Sequence, residues 1–139
     1  RAIDYLGGWV VGMESGSISS SEDLGSWSTN LSGVIDVLRF GPSLVTKKGV
    51  WVSSSSNGES AILLIDPLGG NVEFEMSHHS RIVSAFSDEG IICFGDDAGC
   101  IFVVEGEVLR RRFSRPVEEM SEGEGSSEMR RKIRGLRGG

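Results

Sequence analysis

The chain has 139 residues, a formal net charge of −6 at neutral pH and 38% hydrophobic residues. This length suffices for one domain with a core, and the composition is typical of neither a membrane protein nor a disordered one. The charge is uneven, because residues 1–109 carry ten more acidic than basic side chains and residues 110–139 carry four more basic ones. An acidic body argues against nucleic-acid binding by residues 1–109.

The longest apolar run, residues 61–65, has the length of a strand and falls far short of a bilayer span. No cationic stretch followed by an apolar one opens the chain, so no secretory signal is predicted and a cytoplasmic location is favoured. The chain starts with Arg1 rather than Met, which leaves room for a missing upstream piece.

In chain order, apolar runs of strand length fall into three units. The strands predicted for the first unit are 9–12, 17–20 and 27–31, with 1–6 as a candidate opening strand. The second unit has strands at 34–40, 50–54, 61–66 and 72–76. The third has strands at 81–86, 91–94, 100–105 and 108–113, and no helix is predicted before residue 116.

The units repeat at a nearly constant spacing. Trp9 and Trp51, which open corresponding runs, lie 42 positions apart, and Ile92 follows Trp51 by 41. Four short strands in a repeat of this length are typical of a propeller blade. Three units fall short of the four blades that a closed ring needs. The sequence therefore predicts an all-β fold of antiparallel four-stranded blade-like repeats forming an incomplete β-propeller, with a small β-sandwich as the alternative.

Two motifs carry a family resemblance over about residues 8–115. Asp66-Pro-Leu-Gly-Gly-Asn-Val-Glu-Phe74 resembles the Asp-x-x-x-Gly-x-x-x-aromatic ending of a quinoprotein-type propeller repeat. Gly95-Asp-Asp-Ala-Gly-Cys-Ile101 is similar to the Gly-x-x-x-Gly-x-apolar hairpin of quinoprotein-like and WD-repeat families. The chain departs from these families in that no Trp-Asp dipeptide closes any unit. The resemblance implies a propeller-like scaffold. Because three units cannot close a ring, strand edges would stay open, and we expect a protein partner or a second copy to cover them.

The end of the chain changes character after the predicted domain, 1–115. Residues 116–127 are rich in Glu, Gly and Ser and are predicted to be a flexible linker, followed by a basic tail. Five tail residues are candidate contacts to nucleic acid or another acidic partner: Arg130, Arg131, Lys132, Arg134 and Arg137. The commoner use of such a tail is to keep an acidic body soluble.

Cys93 and Cys100 lie symmetrically about Asp96-Asp97. In a tight hairpin the two thiols would face one another across two strands. They are then either two buried thiols that act as small hydrophobes or, less commonly, a cross-strand disulfide, which would indicate an oxidising compartment or a hyperthermophile.

Polar clusters give weaker signals. Asp96 and Asp97 could ligate a cation, although an acidic hairpin turn is the commoner use of such a pair. His78 and His79 supply zinc ligand types together with the cysteines, but at a spacing that matches no common site. No metal or cofactor is predicted.

The three tryptophans are predicted to pack between sheets, and an aromatic platform for a quinone is the minor alternative. The predicted function is a non-enzymatic scaffold that binds proteins through turns and exposed strand edges. One alternative is a docking subunit of a nucleoprotein particle that uses the basic tail. The other is a fragment of a quinoprotein-type enzyme.

Overall fold

The computed structural model describes residues 1–5, 7–44, 48–88 and 90–113. These residues form eleven strands, a short 3-10 helix at Glu22–Leu24 and one α-helix. The elements are β1 Ala2–Tyr5, β2 Gly8–Gly12, β3 Ser17–Ser20, β4 Ser28–Asn30, β5 Val34–Gly41, β6 Gly49–Ser56, β7 Glu59–Ile65, β8 Val72–His78, β9 Ile82–Asp88, β10 Ile91–Asp96, β11 Ile101–Glu105 and α1 Gly106–Phe113. The linker and tail at 116–139 lie outside the described residues.

The strands form three antiparallel sheets in which every strand pairs with its neighbour in sequence. The first sheet contains β1–β4, the second β5–β8 and the third β9–β11, and none of them closes on itself within the described residues. The expectation of an all-β fold built from blade-like units is therefore confirmed. The candidate opening strand of the first unit is also confirmed, as β1.

Local sequence explains the strands of the second sheet. Asn57 and Gly58 join β6 to β7 with φ angles of 55° and 81°. Two consecutive left-handed residues of these types give the tight turn that matches the twist of a hairpin. Residues 61–65 of β7 are continuously apolar because the second sheet is buried on both faces.

The second sheet lies between the other two, so the core has two layers. One buried cluster packs between the first and second sheets: Val10, Ile18, Leu24, Trp27, Ile35, Leu38, Val50, Val52, Leu63 and Ile65. The other packs between the second and third sheets and includes a helical residue: Val37, Trp51, Ile62, Leu64, Phe74, Ile82, Ile92, Phe94, Phe102, Val104 and Leu109. Successive residues along a strand of the second sheet therefore pack alternately against the first and the third sheet, because side chains of a pleated strand alternate between its two faces.

The first strands of the three sheets gather on one side of the molecule. β5 lies between β1 and β9 and contacts both. Together these three strands line an open groove of about 640 Å³. The sheets thus stand side by side like blades around a shared inner side.

The strand predicted at 108–113 is wrong, because these residues lie in α1. Leu109 and Phe113 are four positions apart and so project from one side of a helix. Leu109 is buried in the cluster between the second and third sheets, and the Phe113 ring meets Phe74 edge-on at 5.5 Å. Glu, Leu and Arg, which fill most of this segment, are good helix formers. The third sheet consequently has three strands in the described part of the chain.

The tryptophan predictions are confirmed for Trp27 and Trp51, which are buried, and are wrong for Trp9, which is 45% exposed. Val10 enters the core in its place. Neighbouring residues of a strand point to opposite faces, so the match between Trp9 and Trp51 in sequence does not hold in space.

No helix in the described residues is long and apolar enough to cross a membrane.

Candidate interaction surfaces

A buried contact joins the second and third sheets where β8 ends. Nε2 of His78, the last residue of β8, lies 2.8 Å from Oδ2 of Asp96, the last residue of β10. The side chains of both residues are almost fully buried. The His78 ring also packs against Phe102, with ring centres 5.0 Å apart. The contact therefore fixes the turn after β10 to the connection between the second and third sheets.

Asp96 also organises its own turn. Its Oδ1 accepts hydrogen bonds from the backbone N–H groups of Ala98 at 3.0 Å and Cys100 at 2.8 Å. The hydrogen bond with His78, followed by the one from the Cys100 backbone, holds the pKa of Asp96 below its ordinary value. These bonds favour the ionised carboxylate, so Asp96 acts as a charged acceptor at the centre of the turn.

Two further contacts fasten the same junction. Arg81 donates from Nε at 3.1 Å and from Nη2 at 2.8 Å to Oδ1 of Asp36 on β5. The hydrogen bond and the charge of Asp36 raise the pKa of Arg81. The backbone N–H of Ile82 donates to the Ser60 hydroxyl at 3.0 Å. The connection into the third sheet is thus tied to the second sheet at three places.

A potential metal-ligand group occurs at this junction, with a composition that differs from the predicted ones. His78, His79 and Asp96 each offer a ligand atom within 4.8 Å of the other two, whereas Asp97 and the cysteines are not part of this group among the described residues. Both Asp96 oxygens already accept hydrogen bonds, so a cation would compete with His78. The geometry favours a hydrogen-bonded structural role.

The groove beside β1, β5 and β9 contains one buried acceptor. Asp36 lines the groove and is 6% exposed. Its Oδ1 accepts both bonds from Arg81, and its buried Oδ2 has no hydrogen-bond partner among the described residues. Oδ2 could accept a hydrogen bond from a donor that enters the groove.

The side of the third sheet that is turned away from the second has an apolar middle, with Ser84 at one end and Asp88 and Glu105 at the other. Register places Phe86, Cys93 and Val103 in one row across this side. Five residues define this surface, which we call the outer face: Phe86, Ile91, Cys93, Ile101 and Val103. Phe86 is 59% exposed and Ile101 is 73% exposed. The outer face corresponds to the side of the second sheet that packs on the third, but no described residue of another sheet covers it.

The outermost strand of the third sheet, β11, also has an outer backbone edge that pairs with no other strand within the described residues. Hydrogen bonds from Asp96 N to Cys100 O and from Gly106 N to Gly90 O mark the two ends of the β10–β11 ladder. Bonded and non-bonded pairs alternate along an antiparallel ladder, so Phe102 and Val104 carry the bonds to β10. The N–H and C=O groups of Ile101 and Val103 therefore point away from β10. In the first and second sheets, a fourth strand occupies this side.

The prediction that the two thiols face one another is wrong. Cys93 pairs with Val103, and Cys100 stands opposite Asp96, where the turn begins. An offset of three residues along a strand is about 10 Å, which is too far for a disulfide. Both thiols are free; Cys93 is half-buried and Cys100 is exposed rather than buried.

Sequence reasoning missed the two main features of this region. His78 and Asp96 are 18 positions apart and carry no spacing signal. The sequence did contain a signal for the open edge. Leu109 and Phe113 stand at helical spacing among helix formers, which indicates a helix rather than a fourth strand after β11. The five predicted tail contacts, Arg130, Arg131, Lys132, Arg134 and Arg137, lie outside the described residues.

No protein-family model matches the chain, and no curated protein or solved structure is significantly similar to it.

Proposed function

We propose that this chain is a non-catalytic interaction scaffold of the β-propeller type, which binds protein partners through turns and exposed strand edges. Three side-by-side sheets with their first strands gathered on one side support the propeller assignment. The Gly95–Ile101 hairpin resembles that of quinoprotein-like and WD-repeat proteins and adds to this support. In a β-sandwich, each of the two sheets packs against a single partner sheet. Here the second sheet packs against both the first and the third.

The observation that carries the proposal is the apolar outer face. Contiguous exposed apolar surface is typical of sites that bind another protein, a membrane or a ligand. The second sheet uses the corresponding side to bury Trp51, Leu64 and Phe74 against the third sheet. The third sheet presents Phe86 and Ile101 to solvent at that position. A partner that covers this side would remove the exposed apolar surface from water.

Site-specific photocross-linking in the cells that make the protein tests the proposal. We replace Phe86 on the outer face with a photoreactive phenylalanine analogue, and in a matched variant we replace Leu68. Leu68 is 49% exposed in the turn between β7 and β8, away from the outer face. We expect a discrete protein adduct at position 86 and none at 68. Absence of an adduct at 86, or the same adducts at both positions, contradicts the proposal.

The basic tail carries the second candidate function, docking on a nucleoprotein particle. This candidate function is supported by the cluster of basic residues at 130–137, which follows an acidic body. Phosphate contacts make affinity fall steeply with salt. We expect the full chain to bind RNA or DNA with such a slope and the chain without 116–139 to lack it. Binding by the full chain that shows no salt dependence contradicts this function. The proposal does not extend to a quinoprotein-type enzyme, for which the resemblance is the sole argument.

A further inference from the structure

We propose that the open edge of β11 binds an extended segment of a partner protein, which becomes the fourth strand of the third sheet. This inference rests on the proposed scaffold function and specifies where and how a partner binds. It starts from the difference between the sheets: the third strands of the first two sheets are each followed by a fourth strand, and β11 is followed by α1.

The backbone of β11 is arranged to accept a strand. Ile101 and Val103 direct their N–H and C=O groups away from β10, as the ladder bonds at its two ends require. α1 leaves this stretch accessible, because Ile101 is 73% exposed and Val103 is half-buried. Main-chain hydrogen bonds to such an edge provide affinity, and alternate side chains provide specificity.

The second sheet indicates which side chains the segment needs. On β7, Ile62 and Leu64 face the third sheet, and β8 places Met76 and Phe74 opposite them. Glu75 lies between those two residues on β8 and is exposed. Ile101 and Val103 occupy the corresponding positions of β11. The expected segment therefore has apolar residues opposite Ile101 and Val103, with a polar residue between them.

Charge specifies one further position. Glu105 is exposed at the end of β11, on the same side as Ile101 and Val103. Opposite charges directly across two strands stabilise the pair. Because the segment runs antiparallel to β11, its sequence is basic–x–apolar–x–apolar. The overall acidity of residues 1–109 also favours a basic partner.

A partner segment fits this edge better than the other occupants. β11 has five residues, and pairing two copies through it would bury far less than the roughly 1,200–2,000 Å² of a stable assembly of folded bodies. A pair of copies would also bring two acidic bodies together. The chain's own residues 114–139 contain no two large apolar residues at a spacing of two. A short extended peptide needs neither a large interface nor a second folded body.

The test uses the peptide acetyl-Lys-Thr-Phe-Thr-Met-Thr-amide and the full chain, with binding measured by fluorescence polarisation of a labelled peptide. Val103→Pro removes one outward N–H and no bond to β10, a position at which an edge strand tolerates proline. Val103→Thr is the matched control, because it keeps the N–H and a β-branched side chain. We expect Val103→Pro to weaken binding about tenfold or more, in line with the loss of a hydrogen bond. Val103→Thr should bind within about threefold of the original chain.

A second measurement does not depend on the stability of Val103→Pro. The same peptide with an N-methyl group on its Phe amide cannot donate to the edge, and we expect the unaltered chain to bind it about tenfold more weakly. Three outcomes overturn the proposal: no binding of the peptide, equal binding of the N-methyl peptide, or a dimer of the full chain that Val103→Pro converts to monomer. The cross-link at position 86 tests the scaffold function independently, so failure at this edge and failure of that function give different results.

Discussion

The second and third sheets share the same ladder for three strands and differ in the element that comes after the third strand. After β7, the Asp66–Asn71 turn brings the chain back as β8, with a hydrogen bond of 2.8 Å from Asp66 N to Asn71 O. After β11, the chain enters α1 without an intervening turn. In the part of the chain that the structure describes, the second sheet is thus completed by a fourth strand, whereas the third sheet is left with an exposed side.

Side-chain spacing accounts for the two outcomes. Residues 72–78 alternate apolar and polar side chains, which suits a strand with one buried face. Residues 106–113 instead place Leu109 and Phe113 at helical spacing among Arg and Glu. Leu109 reaches the core from the helix, so α1 helps to bury the inner face of the third sheet while leaving its edge open.

The exposed edges also differ in chemistry. β8 carries Glu73 and Glu75, and charged residues on an edge strand discourage pairing with another chain. β11 carries Ile101 and Val103 at its open positions and lacks this protection until Glu105. The contrast indicates that the β8 edge discourages pairing with a further strand, whereas the β11 edge is available for a partner strand.

The largest expected effect comes from the layer that joins the two sheets. Trp51 is fully buried, with its ring centre 6.0 Å from Phe74 and 5.9 Å from Phe94, and its Nε1 donates to the Pro42 carbonyl at 2.8 Å. Trp51→Ala should lower the free energy of unfolding by about 3–5 kcal/mol. Trp9→Ala, the matched control, should cost below about 1 kcal/mol, because Trp9 is half-exposed. Urea titration followed by circular dichroism measures both; equal losses would contradict the assignment of these two residues to core and surface.

The next effect tests the role of α1 in the third sheet. Leu109 is 2% exposed in the core, and Leu109→Ala should destabilise the protein by about 2–4 kcal/mol. Glu107→Ala changes an exposed residue of the same helix and should cost no more than about 0.5 kcal/mol. Thermal unfolding of both variants measures the difference. If Leu109→Ala proved neutral, α1 could not be a structural part of the third sheet.

A smaller effect concerns pH and the Asp96 turn. The pKa of Asp96 is lowered in the folded chain, so its stabilisation is present above the ordinary carboxyl pKa of about 3.9 and is lost as pH falls through the lower folded value. Asp96→Asn should flatten the acid side of the stability curve. Asp97→Asn, which alters the exposed neighbour, should retain the slope. Urea midpoints between about pH 2 and 6 measure these slopes, and identical curves for all three chains would refute the assignment.

The last prediction concerns the two thiols, between which we expect no disulfide to form. Because Cys93 and Cys100 are offset by three residues, mild oxidation of dilute protein should form no intramolecular disulfide. Mass spectrometry after alkylation under denaturing conditions should find two modified thiols per chain. A mass that shows a bridged pair would contradict the register of β10 and β11.

Sequence alone determined the strand-rich fold, the three units and the positions of all eleven described strands with small shifts at their ends, because alternation and turn residues act over a few positions. It also placed Trp27 and Trp51 in the core. It could not assign Trp9 and Val10 to their faces, because a shift of one residue in register exchanges the two sides of a strand.

Tertiary structure decided the remaining features. His78 meets Asp96 because two sheets stack, which no spacing in the sequence records. Residues 108–113, which sequence reasoning placed in a strand, have the side-chain spacing of a helix, and the burial of Leu109 between the second and third sheets holds that helix in place. The open edge of β11 follows from that choice. Local patterns specify which segments pair, whereas the burial of a few distant side chains determines whether the last sheet is completed by its own chain.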